Sequence, residues 1–301
     1  MTDETENMVI RRKIFFKIAS HPMEYLRDAY PTEELLRKMR EKKIDIFTFI
    51  ERKWCSTVQN PSPLWLKAND NIALLKIETY DKWLKDVGKK TRNMIRKAEK
   101  SGVRTEIAEP NEKLAEGIWK IYNETPIRQE RGFPHYGISM ETVRRIVLSS
   151  RESTFIGAYF NGDLGGFVQL VHGDNITVIS QILSLQKHWD KAINNALVAR
   201  AVEFCAGKGV RWLMYGRMGN HPTLDKFKQN NGCVFFPLTR SYVVLSRKGR
   251  IAARLNLHRE FKDVLPQSMK TALFPIYNWV SRNKMRVKLL LKGEPVSFRG
   301  A

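Results

Sequence analysis

Residues 154–160 and 164–171 are short runs rich in β-branched and aromatic side chains, and Asn161-Gly162-Asp163 between them is a strong reversal signal. The pattern predicts an antiparallel hairpin. His172-Gly173-Asp174-Asn175 supplies the next turn before residues 176–183, Ile-Thr-Val-Ile-Ser-Gln-Ile-Leu, so three strands form a meander. From Asp190 to Gly207 the apolar period becomes helical through Ile193, Leu197, Ala201, Phe204 and Cys205, and Gly209 ends the helix. Residues 211–215 are the next strand. His221-Pro222 opens a further helix that Asn231-Gly232 closes, and residues 234–245 are apolar enough for a last strand.

Meander, helix, strand, helix, strand leaves one parallel neighbour pair in a mostly antiparallel sheet with flanking helices, an α+β (α/β) class. Where the parallel neighbours near Ile182 and Leu213 diverge, main-chain groups lose their partners and a slot for an extended ligand is expected.

The flanks are read more coarsely. Residues 8–70 look mostly helical, with Thr32 capping a helix after Pro31 and a joint at Asn60-Pro61-Ser62-Pro63. Residues 72–77 are a candidate first strand, and Thr79 or Asp81 caps a basic helix that runs to Ser101-Gly102 with an apolar stripe of Leu84, Val87, Met94, Ile95 and Ala98. Residues 103–107 form a strand and 111–122 a helix with Leu114, Ile118 and Ile121 in register. Residues 123–137 are too dense in Pro, Gly and polar side chains for a regular element and read as a structured loop of the kind that faces ligands. A helix over 139–148 follows. The division expected is a helical N-terminal extension (1–70), a central domain (71–247) and a basic C-terminal extension (248–301).

Composition adds one strong constraint. The chain has 301 residues, 43% of them hydrophobic, enough for a real core, yet its formal net charge is +21. Between Lys82 and Arg104 there are 9 cations against Asp86 and Glu99. The charge implies a polyanionic partner: coenzyme phosphates, transfer RNA or acidic headgroups, met through the basic helix and the tail. The tail would lie on an anionic membrane through Phe274, Trp279 and Leu289 to Leu291. Met1 to Asn7 is acidic and polar, and no run of eighteen apolar residues occurs, so the expectation is a cytoplasmic protein, or one peripheral at the inner membrane surface. Cys55, Cys205 and Cys233 lack paired spacing and a His cluster, so buried thiols are expected, with no metal and no disulfide framework.

Two stretches carry a family likeness. Lys89-Lys-Thr-Arg-Asn-Met-Ile-Arg-Lys-Ala-Glu-Lys-Ser-Gly102, and Asn194 to Phe204 with Gly209 and Tyr215-Gly216-Arg217, resemble the basic helix, central helix and following strand of FemAB-like proteins, the peptidoglycan-bridge transferase branch of the GNAT superfamily. The likeness spans roughly residues 72–246. It implies the GNAT fold and an N-acyltransferase in which an amine attacks acyl-CoA directly. The FemAB alternative takes the acyl group from aminoacyl-tRNA, and a third reading is a non-catalytic module of the same fold on membrane or nucleic acid. Typical superfamily members hold the coenzyme pyrophosphate on bare amides of a glycine-rich helix start. Here that place reads Gln186-Lys-His-Trp-Asp-Lys-Ala192, without glycine, and Phe227 stands where many members have a proton-donating tyrosine.

The candidate site follows from slot and loop. Main-chain donors near Leu183, Ser184 and Leu185 would face the donor; Lys187, His188 and Lys191 suit its phosphates, and Asn194 and Asn195 its remaining polar groups. No carboxylate stands on the third meander strand, where Gln181 occupies the neighbourhood. His135, Tyr136 and Tyr215 are therefore the proton-path candidates, with His favoured by its near-neutral pKa. Arg128, Arg131 and Arg217 would orient an acidic acceptor or a phosphate.

Overall fold

The computed structural model describes residues 8–26, 30–51, 65–150, 152–173, 175–219, 221–259, 273 and 275–285. The joint at Asn60 to Pro63, Cys55, Phe274 and Leu289 to Leu291 lie outside them. Two compact units interleave along the chain: Met1–Thr79, His172–Val178 and Cys205–Leu265 make the first, and Tyr80–Val171, Ile179–Phe204 and Pro266–Ala301 the second. These bounds do not follow the divisions near residues 70 and 247.

In the first unit lie strands β1 (Val9–Arg12), β2 (Lys17–Ser20), β3 (Ile46–Glu51), β4 (Leu66–Lys76), β11 (Trp212–Met214) and β12 (Val234–Val244), numbered along the whole chain, in spatial order β1-β2-β3-β12-β4-β11. Helices α1 (Glu33–Glu41), α7 (Pro222–Asn230) and α8 (Arg247–Arg254) belong to it as well. The expectation of a mostly helical residue 8–70 segment is corrected: among the described residues only α1 is helical, and the other regular elements are strands. Thr32 does cap α1, accepting the Leu35 N–H at 3.1 Å. The misreading has a physical cause. Every residue of β3 is buried, so the strand shows no alternation, and periodicity cannot separate such a run from a buried helix. Phe47 and Phe49 pack with Leu35, Leu36 and Met39 of α1 to form the core here.

In the second unit, α2 (Tyr80–Asp86), α3 (Lys89–Lys100), α4 (Glu112–Asn123) and α5 (Met140–Ser149) accompany β5 (Arg104–Ala108), β8 (Ser153–Phe160) and β9 (Asp163–His172). β10 (Ile176–Ser184) begins in the first unit and ends in this one, and the order is β10-β9-β8-β5. A 3-10 turn, Gln186–Lys191, leads into α6 (Ile193–Gly207). The meander, central helix and later elements thus match the pattern in the sequence. The basic helix does not: it is two helices, because Arg92 turns back to donate to the main-chain carbonyls of Lys85 (3.0 Å) and Val87 and so closes α2. Gly88, rather than Thr79 or Asp81, caps α3, and Gly102 ends it with φ of +81°.

Two parallel pairs occur among the described residues where the sequence pattern suggested one: β2 with β3, from Ile18↔Ile46 to Ser20↔Thr48, and β10 with β11, whose ladder has three pairs, from Ile176↔Trp212 to Val178↔Met214. Beyond Met214 the chain stays with β4, since Tyr215 N–H donates to Ala73 O and Ala73 N–H to Gly216 O, both at 2.8 Å. β10 runs on to Ser184 with no further register to β11.

Candidate functional site

The 123–137 loop is closed at its base by Asn123. Its side-chain oxygen accepts the Gly137 N–H at 2.9 Å, while its amide nitrogen donates to the carbonyls of Trp119 (3.0 Å) and Ile138 (3.3 Å). Within the loop the short strands β6 (Ile127–Arg128) and β7 (Arg131–Gly132) make a hairpin. Gln129 and Glu130 form its tip with φ of 49° and 63°, the pair of left-handed residues that a tight hairpin turn demands.

A carboxylate ties this loop to the end of β10. Glu124 accepts the N–H of Gln186 at 2.7 Å and of Lys187 at 3.2 Å, and pairs with Arg128 at 3.1 Å. Arg128 also donates to the Ser184 carbonyl (2.8 Å) and the Ile121 carbonyl (2.7 Å), and its guanidinium lies 4.7 Å over the Phe133 ring. Only 9% of its side chain is exposed. Arg128 therefore braces the loop, where the sequence suggested a ligand-facing fork. Burial pulls its pKa down and Glu124 opposes that shift.

Above this brace, His135 stacks on Tyr122 with ring centroids 4.5 Å apart and planes inclined by 16°. Desolvation lowers the imidazole pKa, and the Arg128 cation lowers it further. Both effects favour the neutral ring. Burial raises the Tyr122 pKa, so its phenol keeps its proton, which it donates to the side-chain oxygen of Gln181 on β10. His135 is stacked on Tyr122, which hydrogen-bonds Gln181, and Phe133 and Phe167 pack against the tyrosine ring. Tyr136, the neighbour of His135, packs partly buried against the same apolar cluster.

The helix start beside them is built by close approach. A Cβ on Gly166 would sit 2.7 Å from Ile193 Cγ2 and 3.0 Å from Leu183 O, so glycine lets α6 close onto β9. Leu185 N–H donates to Gly165 O at 2.9 Å, and Ala192 takes the left-handed conformation (φ 54°) between the 3-10 turn and α6. Asn194 has its side-chain oxygen buried with no hydrogen-bond partner, and Asn195 follows it on the first turn. Lys187 is exposed. His188 and Lys191 turn to Phe160, edge-on at 5.2 Å and over its ring at 4.6 Å.

The remaining candidates are each held by contacts of their own. Arg131 donates to Asn278 Oδ1 at 2.7 Å and covers the Tyr277 ring at 4.8 Å, fastening helical residues 275–285 to the hairpin. Tyr215 and Arg217 belong to the first unit. Burial raises the Tyr215 pKa, and the ring sits against Phe227 and the Lys228 ammonium, 5.1 Å from its centroid. Arg217 pairs at 2.8 Å with Asp70, whose other oxygen accepts from Arg240 at 2.8 Å; Arg240 also forks onto Glu24 at 2.8 and 3.0 Å. The thiols of Cys205 and Cys233 are buried and pushed up to about 12 by desolvation. Sequence reasoning missed Glu124 and Tyr122. Both sit where α4 meets the loop, and their only signal was the proximity of Asn123-Glu124 to a long polar segment.

No family model matches the chain, and no curated protein matches it by sequence. Solved structures do match by fold. The C-terminal domain of a putative lysylphosphatidylglycerol synthetase from Agrobacterium fabrum superposes with a TM-score of 0.53 at 12% identity, over 84% of this chain and 86% of that one. L-PGS from Bacillus licheniformis gives 0.55 at 15% identity (82% and 85%), and FemX 0.51 at 9% (77% and 83%). The fold is thus GNAT-like, with a large, mostly antiparallel sheet flanked by helices. Among the described residues, no helix is long and apolar enough to cross a membrane.

Proposed function

We propose that this chain is an aminoacyltransferase that takes its acyl group from aminoacyl-tRNA and passes it to an amine, with no covalent enzyme intermediate. One observation carries the choice of donor. At the end of β10, the Gln186 and Lys187 amides that would receive a coenzyme pyrophosphate already hold the Glu124 carboxylate. A second anion placed there would meet that carboxylate at short range with no glycine to give it room. An aminoacyl ester carries no pyrophosphate and needs no such cradle. The exposed cations of α3 (Lys89, Lys90, Arg96, Lys97 and Lys100) suit a ribose-phosphate backbone. The name of one structural neighbour, lysylphosphatidylglycerol synthetase, likewise denotes a product bearing an aminoacyl group.

In this reading the neutral His135 imidazole takes the proton that the amine loses as it attacks the ester carbonyl. It then returns that proton to the departing ribose oxygen, so no net proton stays on the protein. Tyr122 holds the imidazole plane through stacking, and its bond to Gln181 fixes the phenol in turn. The buried, unpartnered oxygen of Asn194 would accept the α-ammonium of the donor.

Acyl-CoA is the second reading, favoured by the run of β10 beyond Val178 that has no further register to β11 and would suit a pantetheine arm. Thermal-shift titrations with acetyl-CoA, a long-chain acyl-CoA and charged transfer RNA separate the two. Stabilisation by charged transfer RNA alone is the expected result. A midpoint raised by either coenzyme ester would return the donor to acyl-CoA, and no shift with any of the three would favour a non-catalytic module.

A further inference from the structure

The β1–β2 hairpin in the first unit carries an arrangement that acyl transfer does not use. β1 and β2 pair from Val9↔Ser20 to Arg12↔Lys17, and Lys13 N–H donates to Phe16 O at 2.9 Å to close the tip. Phe16 points inward, 4% exposed, and packs with Ile18, Ile46, Tyr242 and Ala252 of α8. Ile14, beside it, is 100% exposed, and Phe15 is 38% exposed. The tip is anchored by one aromatic ring and offers the next two apolar side chains to solvent.

Beneath that tip is an open cavity of about 790 Å³. Its walls include Lys13, Lys17, Arg40, Lys43, Arg247 and Lys248. Asp45 is the one acid among the lining residues, and its carboxylate is held by the Lys17 N–H at 2.8 Å and by the Ser246 hydroxyl. Cations therefore surround an apolar point that nothing among the described residues covers.

We infer that the β1–β2 hairpin docks this protein on an anionic lipid bilayer, with Ile14 and Phe15 entering the acyl boundary and the cavity cations meeting headgroup phosphates. The charge complementarity selects the occupant. A polyanion such as RNA would engage the cations but would leave a fully exposed isoleucine in water, whereas a bilayer satisfies both parts at once. Each cation near the surface strengthens binding roughly fivefold, so several together with two inserted side chains suffice for reversible association. The inference is independent of the acyl donor.

The test is co-sedimentation of the full chain with phosphatidylcholine vesicles containing about one third phosphatidylserine, against pure phosphatidylcholine, at physiological salt. The expected outcome is binding to the anionic vesicles only, weakened more than about tenfold in Ile14→Ser/Phe15→Ser and in Lys13→Glu/Lys43→Glu, with circular dichroism unchanged. A fluorophore on Ile14→Cys should shift to the blue with anionic vesicles and not with transfer RNA. Absence of vesicle binding by the unmodified chain overturns the inference. So does equal vesicle binding by the serine variant, or a blue shift with transfer RNA, which would make the surface a nucleic-acid site.

Discussion

The imidazole of His135 lies on the face of Tyr122, 4.5 Å between centroids and 16° from parallel, while the same phenol donates its proton to Gln181. Stacking fixes the plane of a ring whose pKa is lowered first by burial and then by the Arg128 cation. His135→Gln should lower transfer from charged transfer RNA by about 10²- to 10⁴-fold with little change in donor binding. Tyr122→Phe keeps the stacking and loses the Gln181 bond, so a much smaller loss is expected from it. Steady-state kinetics with separate kcat and KM tests both.

The lowered His135 pKa also sets a pH dependence. Between the folded pKa and the ordinary value of 6.5, the unfolded chain binds more protons than the folded one, so stability rises with pH across that window. His172 and His258 are shifted down for the same first cause, burial, and act with the same sign. The melting temperature should fall as the pH drops through 6.5 towards the folded pKa values, and His135→Gln should flatten part of that fall. A pH series of thermal melts checks it.

Glu124 bonds to two main-chain amides and to a guanidinium only 9% exposed. Glu124→Ala should destabilise the protein by about 2–4 kcal/mol, because two amides and the Arg128 charge lose their partner together. The same change removes the anion from the turn after β10. Acetyl-CoA, without effect on the unmodified chain, should then bind measurably by calorimetry.

Arg240 joins Glu24 and Asp70 in the first unit, and the side chains of these acids are 9% and 2% exposed. Arg240→Met should cost about 3–5 kcal/mol, because Glu24 loses its cation and Asp70 keeps only Arg217. The loss should appear in urea melts and leave the donor-binding ratio of transfer RNA to coenzyme unchanged.

Transfer-RNA affinity should fall steeply with salt. For Z phosphate contacts to single-stranded regions the log–log slope is about −0.7Z, and about −0.9Z for duplex. Lys89→Ala/Lys90→Ala/Lys97→Ala should weaken binding at low salt and make the slope shallower by roughly two to three. Filter binding across a salt series measures it.

Local rules made the second half of the chain legible. Asn161-Gly162, Gly209 and His221-Pro222 mark turns and helix ends by backbone preference, which does not depend on what packs around them. Runs of β-branched and aromatic residues bounded by turn residues revealed β8, β9 and β10. β3 was not legible, since a strand buried along its whole length has lost the contrast that reports its geometry. The break at Gly88 was hidden for another reason: it depends on where one long side chain, Arg92, finds its carbonyls.

The sequence by itself determined the order of elements from β8 to β12, the basic stretch of α2 and α3 and the absence of glycine at the turn after β10, because each is a property of consecutive residues. Tertiary structure alone decided that Arg128 braces rather than binds, that Glu124 occupies the amides of Gln186 and Lys187, and that His135 rests on Tyr122. Those contacts join residues far apart in the chain, such as 124 with 186, whose proximity is set only when α4 and the end of β10 pack around a common core.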